Sequence, residues 1–497
     1  MIKLKRKREK MSKLLSRIEN NKYFVYISMV LCTLLLSFTC DNNPFSIGNM
    51  NIDSSVFNYV ARVIRNGGMP YRDTFDHKGP LLYLINVLGQ VIHSYLGLWL
   101  IECVFIFFTF FYAYKIARYF NCGNVKCIMV IIINTLAFSY YFDGGNMSEE
   151  YACLFITISL YIFIKFFSEG KVKKTELLIA GISFGAVCLL RINMIPLWIV
   201  MCLGVLIICI KKKEIGKLFV CVGFFILGIA VVTAPIMLWL AVNDAVVPFI
   251  EDYFSFNFLY SSDPSRASLG NIAKALSTLS TGAVTVISCP VLIYLGIKKK
   301  ELIDWLCLST LLLSVIVICI SGQLYNHYGM ILIPIITYAF ARLFADAKEF
   351  RNGIPLLAAG GVMMLILFSS SFLNIGLGLI KPIFKIESGS FSELNKIAEI
   401  IKANSDEDDK ISVCGNKNIL YLKSDRFSSS IYSYQYPIAE ISGEIKKNYI
   451  EDLKKLDARI FVIDENNEIY GDVEDIIKQH YELVDKVNTT EIYKLVN

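Results

Sequence analysis

Long apolar runs, each with almost no charge, recur from Tyr23 to Leu379 and limit this 497-residue chain more than any other feature. A hydrocarbon core about 30 Å thick needs about 20 apolar residues per helix, because in lipid every backbone polar group has to be satisfied within the spanning segment. Eleven spans are expected, near residues 23 to 40, 97 to 118, 125 to 142, 151 to 167, 176 to 190, 194 to 210, 218 to 240, 277 to 297, 302 to 320, 328 to 344 and 354 to 376. Only 19% of residues are charged, against about 25% in an average soluble domain. An ordinary soluble enzyme is excluded, as are disordered and fibrous classes. The net charge of +6 sits in short clusters between apolar runs, so its partner is the bilayer and no nucleic acid is expected.

Lys and Arg fall on alternate loops, in Lys3 to Lys22, Lys115 to Lys126, Lys165 to Lys174, Lys211 to Lys217, Lys298 to Lys300 and Arg342 to Arg351. By the positive-inside rule these loops are cytoplasmic. Loops 143 to 150 and 321 to 328 have no Lys or Arg, and loop 241 to 270 has only Arg266, so they face outward. The chain therefore reads as a multi-pass cell-membrane protein whose amino terminus is cytoplasmic and whose first span is retained as an anchor. Its expected parts are a basic amino terminus (1–22), a transmembrane domain (23–380) with a first outward loop (41–96), and a small extracytoplasmic α/β domain (381–497). Within the outward loop Val56, Phe57, Val60, Val63 and Ile64 recur at helical spacing, which predicts an amphipathic helix over 54–65 lying at the membrane interface. In the tail, helices are expected over Ser392–Ile401, Ile445–Lys455 and Val473–Tyr481, and strands over Lys410–Cys414, Arg459–Ile463 and Glu491–Leu495.

Several chemistries are absent from the sequence. There is no P-loop, no GxGxxG after a strand, no HExxH and no GxSxG. His77, His93, His327 and His480 are not spaced with other ligand types as a metal site requires. The acidic run Asp406, Glu407, Asp408 and Asp409 precedes a strand and reads as a solvated turn. Most of the 14 cysteines lie inside apolar runs, with no disulfide framework or CxxC pair. No cofactor is expected, and a divalent metal is not indicated.

The most informative segment is Asp53-Ser-Ser-Val-Phe-Asn-Tyr-Val-Ala-Arg-Val-Ile-Arg-Asn-Gly-Gly-Met-Pro-Tyr-Arg-Asp-Thr-Phe-Asp-His-Lys-Gly-Pro-Leu-Leu-Tyr-Leu. It resembles the GT-C glycosyltransferases, and more narrowly the bacterial family 39 group, related to protein O-mannosyltransferases and to the aminoarabinose transferase of lipid A. The matching features are the acidic residue Asp53 just after the first span, the turn Gly67 to Tyr71, and the run Lys78 to Leu81. The loop Gly-Gly-Asn-Met-Ser-Glu-Glu ending at Glu150, and Asn326-His327-Tyr328 before Pro334, are further matches. The resemblance covers about residues 23 to 345. Relatives often carry a second acidic residue beside the first, whereas here Ser54 follows Asp53.

The resemblance implies a GT-C type α-helical polytopic fold and an inverting transfer of a sugar to an acceptor at the outer face. The donor is a polyprenyl phosphate sugar lipid, and the extracytoplasmic acceptor is a glycan, wall polymer, lipid or protein. An acceptor hydroxyl is a poor nucleophile until a base takes its proton, and Asp53 is placed to do so. The phosphate leaving group needs fixed cations, which Lys78, His77 and Arg191 supply. Asp76, Glu149, Glu150, His327 and Tyr328 are the remaining candidates for substrate contacts. Each residue also has a structural reading. Asp53 can be a helix cap, Lys78 and His77 can snorkel at the interface, and Arg191 can pair with Glu149. His327 and Tyr328 can belong to an aromatic belt, and Glu149 and Glu150 to a solvated loop. The alternative function is a transporter or lipid-linked glycan flippase, although such proteins place charges and broken helices near the midplane.

Overall fold

The computed structural model describes residues 13–45, 50–94, 96–261, 268–281, 283–320, 325–346, 373, 375–377, 380, 389–464, 467 and 469–496. Its helices are α1 (Tyr23–Ser37), α2 (Ile52–Arg65), α3 (Pro80–Ile92), α4 (Leu96–Tyr119), α5 (Asn124–Tyr141), α6 (Ser148–Glu169), α7 (Lys174–Leu190), α8 (Pro196–Lys211), α9 (Ile215–Val242), α10 (Leu269–Thr281), α11 (Ala283–Lys299), α12 (Leu302–Ile320) and α13 (Ile333–Asp346). Helices occupy ten of the eleven expected spans; the span expected over 354 to 376 lies almost wholly outside the described residues, as do Arg266 and residues 321–324. Among the described residues six helical runs are long and apolar enough to cross a membrane, namely α4, α5, α6, α9, α12 and Asn326–Asp346. The helices α1, α3 and α8 are apolar but shorter.

The chain divides into two compact units. One comprises Met1–Asn43, Trp99–Pro235 and Pro264–Ile380, and the other Pro44–Leu98, Ile236–Asp263 and Lys381–Asn497. The segment expected as the first outward loop thus groups with the tail.

In the first unit α7 and α9 approach to backbone contact. A Cβ built on Gly181 would lie 2.0 Å from the Phe225 carbonyl oxygen, and one on Gly228 would lie 2.1 Å from that of Leu178. Between apolar helices in lipid, where burial gives little drive, such close approach is what lets dispersion hold the pair. At the far end of α12 and α13, the buried Asp304 carboxylate accepts from Tyr338 (2.6 Å) and from Arg342 Nε (3.3 Å) and Nη2 (3.2 Å). A charge at that depth is retained because it is fully hydrogen-bonded.

In the second unit the tail contains α14 (Gly389–Ala403), β1 (Lys410–Val413), α15 (Ile419–Ser424), β2 (Phe427–Ser428), α16 (Gly443–Leu453), β3 (Ala458–Asp464), α17 (Tyr470–His480), β4 (Tyr481–Val487) and β5 (Thr490–Leu495). The sheet order is β2-β1-β3-β5-β4. Strand β1 runs parallel to β2 and β3, with Ser412 opposite Phe461, while β5 is antiparallel to β3 and β4, with Val462 opposite Ile492. The three expected helices and three expected strands are all present; β2 and β4 were not anticipated. Strand β4 is an edge strand in which only Tyr481 and Val487 are buried, so its sequence lacks the alternation that marks a strand.

The helix expected at the membrane interface is α2, and its apolar stripe is covered by protein instead. Tyr59 and Val63 join Ile401, Ile411, Leu420 and Ile460 in the core of the tail. The Ser428 backbone N–H donates to the Tyr59 hydroxyl at 2.8 Å, and Arg62 donates to the Tyr421 carbonyl at 2.9 Å and pairs with Asp425 at 2.8 Å. Helical spacing reveals a buried stripe but not what buries it.

The α7–α9 contact gives a stability test. Replacing Gly181 with Leu forces the two backbones apart, and overpacking of this kind costs about 1–3 kcal/mol. Gly216, on α9 with nothing within 4 Å of its Cβ position, is the control. Gly181→Leu is expected to lower the detergent melting temperature while Gly216→Leu leaves it unchanged; equal melting temperatures would refute the contact.

Candidate functional site

Helix α2 is capped by Asn51, whose side chain accepts from the Ser54 N–H at 2.6 Å. Asp53 therefore is not the cap. It sits in the first turn, half-buried, where helix N–H dipoles favour an anion, and among the described residues its carboxylate has no hydrogen-bond or ion-pair partner. The helix ends at Gly67, which takes φ +88°, a conformation open to glycine. The Asp73 carboxylate then closes the turn by accepting from the Met69 N–H at 2.7 Å.

This turn delivers Asp76, His77 and Lys78. Asp76 is buried and accepts from the His77 N–H, the Tyr83 hydroxyl and the Tyr434 hydroxyl, each at 2.8 Å. Burial raises its carboxyl above the ordinary carboxylate range, against the opposing pull of Lys78 and of these donors. The Tyr71 hydroxyl donates to the Lys78 carbonyl at 2.8 Å, so the backbone around Lys78 is fixed on both sides. The His77 ring stacks on Tyr260 and lies 3.4 Å from the Tyr434 hydroxyl. Lys78 Nζ is 3.4 Å from His77 Nε2, and no carboxylate pairs with it among the described residues.

The same cluster includes groups that sequence reasoning missed. Tyr434 lies in the electrostatic range of Asp53, Asp76 and Asp252, which brings Asp53 and Asp76 into one neighbourhood. Asp252, in the π-helical turn Ile250–Ser255, is pushed up to about 8 by burial and then by the nearby Asp76 and Glu251 carboxylates. The tyrosine-rich run Tyr432-Ser-Tyr-Gln-Tyr436 and the pair Glu251-Asp252 were the signals available for them.

The remaining predicted residues fall in the first unit. Gly144, Gly145 and Asn146 all take positive φ, and the Asn146 N–H donates to Glu102 at 2.5 Å and to Glu150 at 3.0 Å. Glu149 and Glu150 open α6 and are buried, so the solvated-loop reading is overturned for both. Arg191, just after α7, pairs with Glu149 at 2.6 Å and donates to the Tyr328 hydroxyl at 2.8 Å. Its alternative reading as the partner of Glu149 is the observed one. His327 Nδ1 is 3.2 Å from Asp143 in the turn before α13. The structure thus gathers Asp53, Asp76, His77 and Lys78 in one unit and Glu149, Glu150, Arg191, His327 and Tyr328 in the other.

In the tail, Asp409 accepts from the Asp406 N–H at 2.8 Å, a turn-closing bond in an exposed segment. Among the described residues no group of three or more His, Cys, Asp or Glu is arranged to hold a metal ion.

Residues 16–348 match the family model described as "Putative competence-induced protein Ccs4 N-terminal domain", and residues 391–496 match that of the Ccs4 C-terminal domain. The chain belongs to the Ccs4 family. No curated protein sequence matches it. Among solved structures, this Ccs4-family chain is similar to ArnT from Cupriavidus metallidurans bound to undecaprenyl phosphate, with a TM-score of 0.66 at 11% identity over 96% of this chain and 98% of that one. The apo state of that ArnT gives 0.64 at 11% identity over 95% and 98%. The apo oligosaccharyltransferase of Archaeoglobus fulgidus gives 0.50 at 12% identity over 89% and 70%. At these identities the likeness establishes the fold alone, which the chain shares with that ArnT and with the oligosaccharyltransferase.

Asp252 carries a pH test. Its carboxyl holds a proton in the fold that the unfolded chain releases near the ordinary value of about 4, so folding stability from this group is full below pH 4 and is lost as pH rises through about 8. Asp252→Asn is expected to gain melting temperature over the parent progressively between those limits and to level off above them. A gain independent of pH would refute the assignment.

Proposed function

We propose that this chain transfers a sugar from a polyprenyl phosphate-linked donor to an acceptor at the outer face of the membrane, with inversion at the anomeric carbon. The observation that carries the reading is the presence, within one unit, of a carboxylate at Asp53 and a cation at Lys78, neither of which has an ion-pair partner among the described residues. The ArnT neighbour, which binds undecaprenyl phosphate, and the family 39-like segment from Asp53 to Leu81 support the lipid-phosphate donor.

In the proposed step the acceptor oxygen attacks the anomeric carbon as its proton passes to the Asp53 carboxylate. The bond from that carbon to the phosphate oxygen breaks, and the polyprenyl phosphate leaves with the electron pair. Charge grows on the departing phosphate, so a fixed cation lowers the barrier more than it aids ground-state binding. Lys78 supplies that charge, with His77 beside it. Arg191 is a further donor-phosphate group, with its charge shared with Glu149. Asp76 positions the loop through its three hydrogen bonds, and Glu149, Glu150, His327 and Tyr328 shape substrate binding around Arg191. A flippase would carry no requirement for a base at Asp53.

The decisive assay follows release of free carrier phosphate from a panel of polyprenyl phosphate sugars. Losing a general base costs about 10² to 10⁴ in rate, so Asp53→Asn should keep its melting temperature and donor binding while losing nearly all transfer. Lys78→Ala should weaken donor turnover by roughly tenfold or more, the scale of a charge-assisted contact to phosphate. Transfer by Asp53→Asn within about threefold of the parent, against that general-base expectation, would move the base elsewhere.

The orientation belongs to the same proposal: eleven crossings place the amino terminus in the cytoplasm and the tail outside. Lys447 in α16 is an exposed tail position whose side chain is 74% accessible. A cysteine introduced there should react with an impermeant maleimide in intact cells. Labelling only after permeabilisation would reverse the orientation of the tail.

A further inference from the structure

The tail carries a second cleft that the transfer chemistry does not use. It lies at the carboxyl ends of the parallel strands β1 and β3, has a volume of about 520 Å³, and is bounded by the loops that begin at Cys414 and Asp464. In the order β2-β1-β3 the chain leaves β1 toward one side to form β2 and then crosses back to the other side to form β3. The two loops diverge at that reversal, and in open sheets of this kind ligands bind in the crevice so formed. The loop after β1 turns sharply at Gly415, with φ +117°, where a Cβ would meet the Asn467 side chain at 3.2 Å.

The lining chemistry narrows the ligand. Lys417 faces Asp464 at 3.7 Å, and Lys446 is ion-paired with Asp472 at 2.5 Å, while Glu440 adds a further carboxylate. Positive charge is therefore neutralised, and a phosphate finds no spare cation of the kind Lys78 offers. Neutral donors and acceptors are available instead. Among the described residues the Asn416 amide, the Asn467 Nδ2 and the Tyr436 hydroxyl have no hydrogen-bond partner, and Tyr436 is 48% exposed at the cleft wall. Planar amides and carboxylates match the paired hydroxyls of a pyranose, and an open aromatic ring offers an apolar face to its C–H side.

We infer that this cleft binds a neutral saccharide chain, the acceptor glycan of the reaction proposed above. The inference rests on that reading only for the word acceptor, because the cleft's chemistry stands apart from Asp53 and Lys78. Its place in the same unit as Asp53 lets one domain hold the chain that receives the sugar.

The test uses the full-length protein in detergent with four neutral tetrasaccharides (cellotetraose, maltotetraose, mannotetraose and chitotetraose), inorganic pyrophosphate as the anionic counter-probe, and calorimetry as the readout. At least one tetrasaccharide should bind saturably, with affinity lowered roughly tenfold by Tyr436→Ala, the scale of one aromatic contact, and largely kept by Tyr436→Phe. Failure of all four tetrasaccharides to bind, or binding that ignores Tyr436→Ala and Asn467→Ala alike, overturns the cleft. Pyrophosphate binding that these two substitutions abolish overturns it as well. Saccharide binding by a parent protein that shows no transfer sustains the cleft and defeats the transferase reading, so the two failures are distinguishable.

Discussion

A buried carboxylate holds the second unit together. Asp76 is 2% exposed and would carry a large desolvation cost if its oxygens were left bare. Three donors remove that cost: the next residue's N–H, Tyr83 at the start of α3, and Tyr434 from the tail. Two of the donors are local and the third comes from 358 residues away, so satisfying one side chain ties the turn before α3 to the tail. Asp76 directly precedes His77 and Lys78, and its tethering is what keeps those two side chains in one place. The Phe75 N–H adds a bond to the Ile431 carbonyl at 2.8 Å, extending the same tie along the backbone.

This arrangement explains why the segment Pro44–Leu98 and the tail form one body although 282 residues of sequence lie between Leu98 and Lys381. The helix α2 has an apolar stripe too pronounced for a free surface helix, and it joins α14 and α15 in one core over strands β1, β3 and β5. Tyr59 and Val63 are the residues it contributes. Arg62 adds direction: its guanidinium lies over the Phe427 ring at 4.3 Å while its N–H groups reach the carbonyl of Tyr421. A helix that a sequence pattern assigns to the membrane surface is thereby a structural part of a folded domain.

Much of the architecture was legible in the sequence because lipid imposes a strict rule. Apolar length and loop charge are local properties, and helices stand where ten spans were expected. The tail was legible to the extent that its strands are buried: β3 carries the continuous apolar run Ile460 to Ile463 and β1 alternates Ile411 and Val413 with polar residues, while β4 shows charged residues on both sides and β2 is two residues long. The site was legible only in part. Asp53, His77 and Lys78 stand in one short segment whose pattern can be read, but Tyr434 and Asp252 reach the cluster through tertiary contacts that no spacing encodes. Glu149 and Glu150 sit beside glycines and polar residues, a composition that signals a loop; the turn proves to be so tight that it places both in the buried first turn of α6.

The division of charge between the two clusters bears on how a lipid phosphate can be held. Arg191 is enclosed by Glu149 and by Tyr328, whose ring lies 4.4 Å beneath its guanidinium. A cation so compensated can orient a substrate, but for it to meet a phosphate the Glu149 bond has to be shared or given up, and much of the gain is spent on that exchange. Among the described residues Lys78 bears no such partner, and its Nζ lies 3.4 Å from the His77 imidazole. The physical asymmetry is that an anion meets Lys78 without breaking an ion pair, whereas at Arg191 it has to compete with Glu149.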